Sequence, residues 1–283
     1  MEVVPHVDVG EFARLARPLL DTDPVRHTSV LTVLNAVCHG AFMPATMLTV
    51  HDGGAVVAAL LRTEGRPALV SGVPARCASA VVEALLEAGA DAVGALGPVP
   101  EAAAFAAAWT ARTGRPVDDE VRLRLFALDE LRAPACVPGI ARVVASGDPA
   151  VALLARWRAA FEVEAHADAP SPVPAPDDVD ASIAAGAAEL LWEVDGVPVA
   201  QATARAVTGG MSRIGPVYTA PEHRRHGYAA AVTAAASQWA LDRGARHVLL
   251  YTDLANPTSN RLYPRLGYRP RYDALELRFA AAG

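Results

Sequence analysis

The chain has 283 residues, 52% of them hydrophobic, and a formal net charge of -6. That length accommodates one large domain or two of ordinary size, and a mildly acidic balance with no basic run excludes a charge-built nucleic-acid face and suits a cationic substrate such as an amine. No apolar run is long enough to cross a bilayer, residues Met1 to Phe12 lack a basic region followed by an apolar core, and Cys38, Cys77 and Cys136 stand far apart without C-x-x-C spacing, so a reduced, cytoplasmic protein is expected.

In chain order, Phe12, Leu15, Ala16, Leu19 and Leu20 form one helical stripe in Val7 to Leu20. Asp23 and Pro24 suit an N-cap and first helical position, which predicts a second helix ending near Gly40. Met47 to Val50 and Ala55 to Leu61, parted by Asp52-Gly53-Gly54, read as a β-hairpin. Ala68 to Val73 is a strand, Ala78 to Ala88 a helix stopped by Gly89, and Ala92 to Leu96 a strand. Glu101 to Thr113 is a helix stopped by Gly114, and Val121 to Leu128 a closing strand.

The second half repeats this order. Asp148-Pro149 opens a helix with Leu154, Trp157 and Phe161 on one face, followed by a proline-rich loop, Pro170 to Pro176, and a short helix over Asp178 to Ala185. Leu190 to Val194 and Val197 to Ala206 form a hairpin across Asp195-Gly196. After Gly209-Gly210 come the apolar run Ile214 to Tyr218, a helix entered at Gly227 and ended at Gly244, and a strand over His247 to Tyr251. A helix capped by Asn256-Pro257 and closed by Gly267 precedes a last strand, Ala274 to Phe279. Gly89 matches Gly244, Gly114 matches Gly267, and Arg115-Pro116 matches Arg269-Pro270. The expectation is two tandem α/β (α+β) domains, residues 1–133 and 134–283, each a mixed, mostly antiparallel sheet flanked by helices.

A strand that runs through a glycine turn into a helix start offers free backbone N–H groups and the positive end of a helix dipole, which suits a phosphate or pyrophosphate. Here that turn is Arg224-Arg225-His226-Gly227-Tyr228-Ala229, of the form R-x-x-G-x-A, approached through Pro221-Glu222-His223-Arg224. Asn256 lies seven residues before Tyr263, in a segment of the form N-x-x-S-x-x-L-Y-x-x-x-G-Y. Together these motifs resemble the GNAT superfamily of N-acetyltransferases, with Ser259 where the family usually has Ala. The first half has Pro74-Ala75-Arg76-Cys77-Ala78-Ser79 at the corresponding turn, without the glycine, and nothing equivalent to Asn256 and Tyr263. The whole resembles tandem GNAT proteins of the actinobacterial type, in which a degenerate N-terminal copy supports a working C-terminal one.

The resemblance implies acetyl-CoA as co-substrate. Backbone N–H groups across Arg225, His226, Gly227, Tyr228, Ala229 and Ala230 would hold its pyrophosphate, with Arg224 or Arg225 meeting a phosphate. Backbone at Val217 and Tyr218 would hold the pantetheine and polarise the thioester carbonyl. Asn256 would serve both as N-cap and as a contact to the CoA arm. Tyr263 would protonate the departing thiolate, for which a phenol of pKa about 10 is a reasonable acid. The general base stays open among Glu162, Glu164, His166, Glu193, Glu222 and a water chain, with Glu164 and His166 favoured by their place before the loop that covers the acceptor. Asn260 is assigned no role. His223 and His226 lack a third ligand at a recognisable spacing, so no metal is expected. The cysteines lie outside the motifs, so direct transfer to a primary amine of a small molecule or peptide is expected over a covalent intermediate. A CoA-binding sensor without catalysis, and acyl transfer with another donor or acceptor, are the alternatives. The acceptor's identity and the choice between monomer and homodimer are not legible.

Overall fold

The computed structural model describes residues 1–165 and 175–281. The first half consists of β1 (Glu2–Pro5), α1 (Val9–Leu20), α2 (Thr28–Cys38), β2 (Pro44–Asp52), β3 (Ala55–Thr63), β4 (Ala68–Leu69), α3 (Ala78–Glu87), β5 (Gly94–Pro98), α4 (Val99–Thr113) and β6 (Val117–Leu128). The second consists of β7 (Ile140–Val144), α5 (Val151–Ala165), α6 (Pro176–Ala184), β8 (Ala188–Val194), β9 (Val197–Ala204), β10 (Met211–Thr219), α7 (Tyr228–Asp242), β11 (His247–Asp253), α8 (Pro257–Arg265) and β12 (Tyr268–Phe279). The element order β-α-α-β-β-β-α-β-α-β therefore occurs twice.

Two edge strands, β1 and β7, had no sequence expectation. Each is short, and five-residue β7 leaves Ile140 and Val143 exposed, so neither shows the in–out alternation that marks a half-buried strand. The second helix begins at Thr28 rather than at Pro24. Asp23 instead turns the chain locally, accepting from the Arg26 N–H at 2.9 Å. The expected strand from Ala68 shrinks to two residues.

All the strands join one sheet in the order β1-β2-β3-β4-β5-β12-β6-β11-β10-β9-β8-β7. The last strand of each half sits in the other half's sheet. β12 pairs antiparallel with β5, β6 pairs antiparallel with β11, and β6 and β12 pair with each other along nearly their whole length. The two repeats of element order thus follow one another in sequence, while in space they are interlocked.

Alternation along the strands divides the core. On one face α3 and α4 cover the first half, with Phe105, Trp109 and Phe279 stacked at ring separations of 5.6–6.4 Å. Helices α7 and α8 cover the same face in the second half, where the helix packed on the sheet is rich in small residues such as Val232, Ala236 and Ala240. On the other face lie α1 and α2, over Leu61, Leu125, Met211 and Leu249, and then α5 and α6, over Val144 and Leu191. Here α2 crosses the repeat boundary: Thr28 Oγ1 donates to Met211 Sδ at 3.2 Å, Asn35 Nδ2 to the Ala185 carbonyl at 3.0 Å, and Arg213 Nη1 to Ser29 Oγ at 3.2 Å.

Candidate active site

Strand β10 creates the opening. It pairs in parallel with β11 only from Met211 to Arg213. A bulge follows at Gly215-Pro216, and the antiparallel pairing with β9 resumes one residue out of register at Val217. Gly215 has φ +140°, and Pro216 has no N–H to offer a neighbouring strand. Beyond Arg213 the backbone of β10 therefore has β9 as its only strand partner among the described residues, and Val217 and Tyr218 lie along the stretch left open on the other edge. The parallel pair of the first half differs. There Val70 N–H still donates to the Leu96 carbonyl at 3.0 Å, and a Cβ on Gly97 would lie 2.8 Å from Val70 Cγ2. That junction is packed shut.

Opposite the opening stands the start of α7. Arg225 (φ +67°) and Gly227 (φ +85°) are both left-handed, which wraps residues 225–228 into a tight turn. Gly227 is the N-cap and no side chain caps the helix. The N–H groups of Tyr228, Ala229 and Ala230 precede the first intrahelical bond, Ala231 N–H to the Gly227 carbonyl at 3.1 Å, and so point outward unmet. A side chain at Gly227 would enter left-handed backbone with its Cβ 3.2 Å from Val137 Cγ2. His226 stacks on Tyr228 and its Nδ1 lies 3.2 Å from the His223 carbonyl. Among the described residues no group of three His, Cys, Asp or Glu side chains is arranged around a common point.

The arginines of the motif separate. Arg225 is exposed. Arg224 turns back: its Nε donates to the Thr219 carbonyl at 3.0 Å, its guanidinium lies 5.7 Å from the Tyr218 ring centre, and its Nη2 holds both oxygens of Glu164 at 2.7 and 2.8 Å. The Glu164 carboxylate raises the Arg224 pKa, and burial raises that of Tyr218, whose hydroxyl lies 3.5 Å from Glu164. Glu164 is therefore engaged at the end of β10. Glu162, one turn-half earlier on α5, lines a cavity instead, and its Oε2 is sealed from solvent without a hydrogen bond, 3.6 Å from Arg66 Nη1. Glu193 is bound by Arg142 Nε at 2.7 Å in the β7–β8 ladder, and Glu222 is exposed in the approach turn. His166 lies outside the described residues.

Asn256 caps α8 by accepting from Thr258 and Ser259 N–H, both at 3.1 Å. The residue that builds this turn, however, is Asn260. Its amide donates to the carbonyls of Asp253 and Asn256, both at 2.8 Å, and its Oδ1 accepts from Thr252 Oγ1 at 2.7 Å. The amide thus ties the end of β11 to the start of α8. Sequence reasoning missed it because an Asn inside a helix pattern looks like a solvated position. Its one signal was its place four residues after the cap, where a side chain can reach back over the first turn. Tyr263, on α8, is 8% exposed and packs edge-on to Tyr268 at 6.0 Å between ring centres. Burial pushes its pKa up to about 12, so the hydroxyl carries its proton at neutral pH, and no described residue hydrogen-bonds it.

The cavity lined by Glu162 has a volume of about 530 Å³ and lies between the repeats on the α2 and α5 face. It reaches β10 at Arg213 and Pro216, beside the bulge, and takes Ser29, Asn35 and Leu96 from the first half.

Residues 151–268 match the acetyltransferase (GNAT) family. Comparison with curated proteins found no match. Among solved structures, the chain is similar to a GCN5-related N-acetyltransferase from Kribbella flavida, with 22% identity and a TM-score of 0.60 over 91% of this chain and 96% of that one. It is similar to a tandem GNAT protein from the clavulanic acid biosynthesis pathway, solved without AcCoA, with 18% identity and a TM-score of 0.60 over 100% and 98%. A GCN5-related N-acetyltransferase from Sphaerobacter thermophilus gives 18% and 0.60 over 99% and 96%. At these identities the likeness is one of fold, and it extends over both repeats.

Proposed function

Taking as premise that this chain has the tandem GNAT architecture, with a GNAT acetyltransferase match across residues 151–268, we propose that it transfers an acetyl group from acetyl-CoA to a primary amine, directly and within a ternary complex. One observation carries the reading: the unmet N–H groups at the start of α7 stand beside a parallel strand pair that parts after Arg213. In the first repeat the corresponding strand junction is closed, with Val70 N–H donating to the Leu96 carbonyl.

The described residues fit the co-substrate. Tyr228, Ala229 and Ala230 N–H, with Arg225 N–H in the same turn, would hold the pyrophosphate on the positive end of the α7 dipole. Val217 and Tyr218 would hold the pantetheine by backbone, as an added strand is held. Acetyl-CoA brings an acyl group activated as a thioester, so the protein's task is to position an amine and manage two protons. Glu162 Oε2, sealed and without a hydrogen-bond donor, takes the proton that an ammonium must lose before attack. Glu164 holds Arg224 and Tyr218 in place at the end of β10. Tyr263 gives its proton to the sulfur as the C–S bond breaks, and the proton shed by the nitrogen once the C–N bond has formed restores the phenol through solvent.

The test is calorimetric titration of acetyl-CoA into the wild-type protein and into Gly227→Glu. Micromolar binding, weakened at least ~100-fold by the added carboxylate and the strained backbone, is expected. A folded wild type that binds no acetyl-CoA overturns the reading. Turnover of amines, followed as thiol release, should fall further in Glu162→Gln than in Glu164→Gln.

A further inference from the structure

Among the described residues, two cations that line the cavity between the repeats stand in no ion pair. Arg205, just past β9, and Arg213, on β10, face each other across the β9–β10 connection, where Arg205 N–H donates to the Arg213 carbonyl at 2.9 Å. Both line the cavity. Arg205 Nη1 donates to Ser182 Oγ at 3.2 Å, and its Nε is sealed from solvent with no partner. The Arg213 guanidinium donates to Ser29 Oγ. Neither has a carboxylate within ion-pair distance among the described residues. Glu189, whose charge acts on Arg205, is fully buried and already committed: Arg158 Nη2 and Ser182 Oγ meet one oxygen, and Thr203 Oγ1 meets the other at 2.7 Å. Burial, and then the neighbouring Arg158, pushes the Arg205 pKa down to about 9, and burial lowers that of Arg213.

Desolvated guanidiniums without counter-charge cost stability, and they are retained where a ligand supplies the charge. A planar fork of N–H donors matches a carboxylate. The same cavity presents Glu162, whose Oε2 lacks a hydrogen bond, and further acids at Glu64, Asp178 and Glu276. Those carboxylates would repel a dianion and welcome an ammonium. We propose that the cavity binds an acceptor of amino-acid type, its carboxylate on Arg205 and Arg213 and its amine toward Glu162. This rests on the acyl-transfer reading above for the amine's fate, though the carboxylate site stands without it. The volume suits one amino acid or a dipeptide.

The experiment has a binding arm and a turnover arm. In the first, thermal shift of the wild-type protein is measured with an amino acid, with its carboxamide, and with inorganic phosphate. A rise in Tm with the acid and none with the carboxamide is expected. Equal response to acid and amide, or response to phosphate alone, overturns the proposal. In Arg205→Gln and Arg213→Gln the acid's shift should vanish, while the ligand-free Tm stays level or rises, because an unpaired buried charge is removed; a fall in ligand-free Tm with the acid's shift kept would mark the arginines as structural and overturn the proposal. In the second arm, kcat/KM for the acid should exceed that for the amide at least ~10-fold in the wild type, and the ratio should collapse toward one in the variants, with acetyl-CoA affinity unchanged. Acid-selective binding without turnover of any amine would leave the carboxylate site standing and sink the acyl-transfer reading.

Discussion

Tyr263 shows how an environment sets a residue's work. Its phenol carries its proton at neutral pH as any free phenol does, and burial raises its pKa further, to about 12. Tyr263→Phe should lower kcat by ~10²-fold or more and leave the calorimetric affinity for acetyl-CoA within about twofold, because the ring stays and only the proton is lost. Equal turnover would remove the acid role. Burial also raises the pKa values of Tyr251, Tyr268 and Tyr272 above that of a free phenol. Below pH ~10 these groups are neutral in both folded and unfolded chains, so they add no pH dependence. Above it the unfolded chain ionises first, binds fewer protons than the folded one, and stability falls as pH rises from ~10 toward 12. Thermal unfolding followed against pH should show that fall, with the tyrosinate absorbance of these four buried rings appearing only as the protein unfolds.

At the level of elements, α7 and α8 were legible from their ends. Helix α8 announces itself through Asn256-Pro257 and Gly267, and each signal has its partner in the structure: a double N-cap bond and a left-handed exit at φ +97°. Helix α7 was read from Gly227 at its entry and Gly244 at its end, and both glycines have left-handed backbone in the structure, with no side chain capping the first turn. The opening in β10 was legible only through the family resemblance, since a strand pair that parts leaves no mark on hydrophobic alternation. The two unpaired arginines were invisible for a different reason. In sequence Arg205 and Arg213 are ordinary strand-end charges, and only the fold shows that α2 of the other repeat closes over them. Gly267 sharpens the element-scale expectation. A Cβ there would fall 1.8 Å from the Glu130 carbonyl oxygen, in a segment where Asp129 N–H donates to the Gly267 carbonyl and Arg132 N–H to the Leu266 carbonyl. Gly267→Ala should therefore force the α8–β12 corner away from the inter-repeat segment, at a cost of ~3 kcal/mol or more, read as a lowered denaturation midpoint in urea.

For the molecule as a whole, the sequence predicted two repeats with their boundary near residue 133, and the repeats are present. Periodicity could not show that each donates its last strand to the other, because both arrangements need the same alternation in residues 117–128 and 268–279. Exchange makes the halves one cooperative unit: Leu275, Leu277 and Phe279 of the last strand complete the core of the first repeat. Calorimetry should show one unfolding transition; two well-separated ones would mean that the shared sheet does not couple the repeats. Removal of residues 269–283 should open the first repeat to proteolysis around Phe105 and Trp109, far from the cut in sequence.

The same exchange has a consequence during synthesis. The strands β1 to β6 of the first repeat are translated by residue 128, yet the strand that belongs beside β5 is made only after the whole second repeat up to α8. Until then β5 and β6 present unpaired edges, and contacts so distant in sequence form slowly. The nascent first repeat waits, incomplete, until β12 has been made, and this interval is when the chain is most exposed to strangers and most in need of a chaperone.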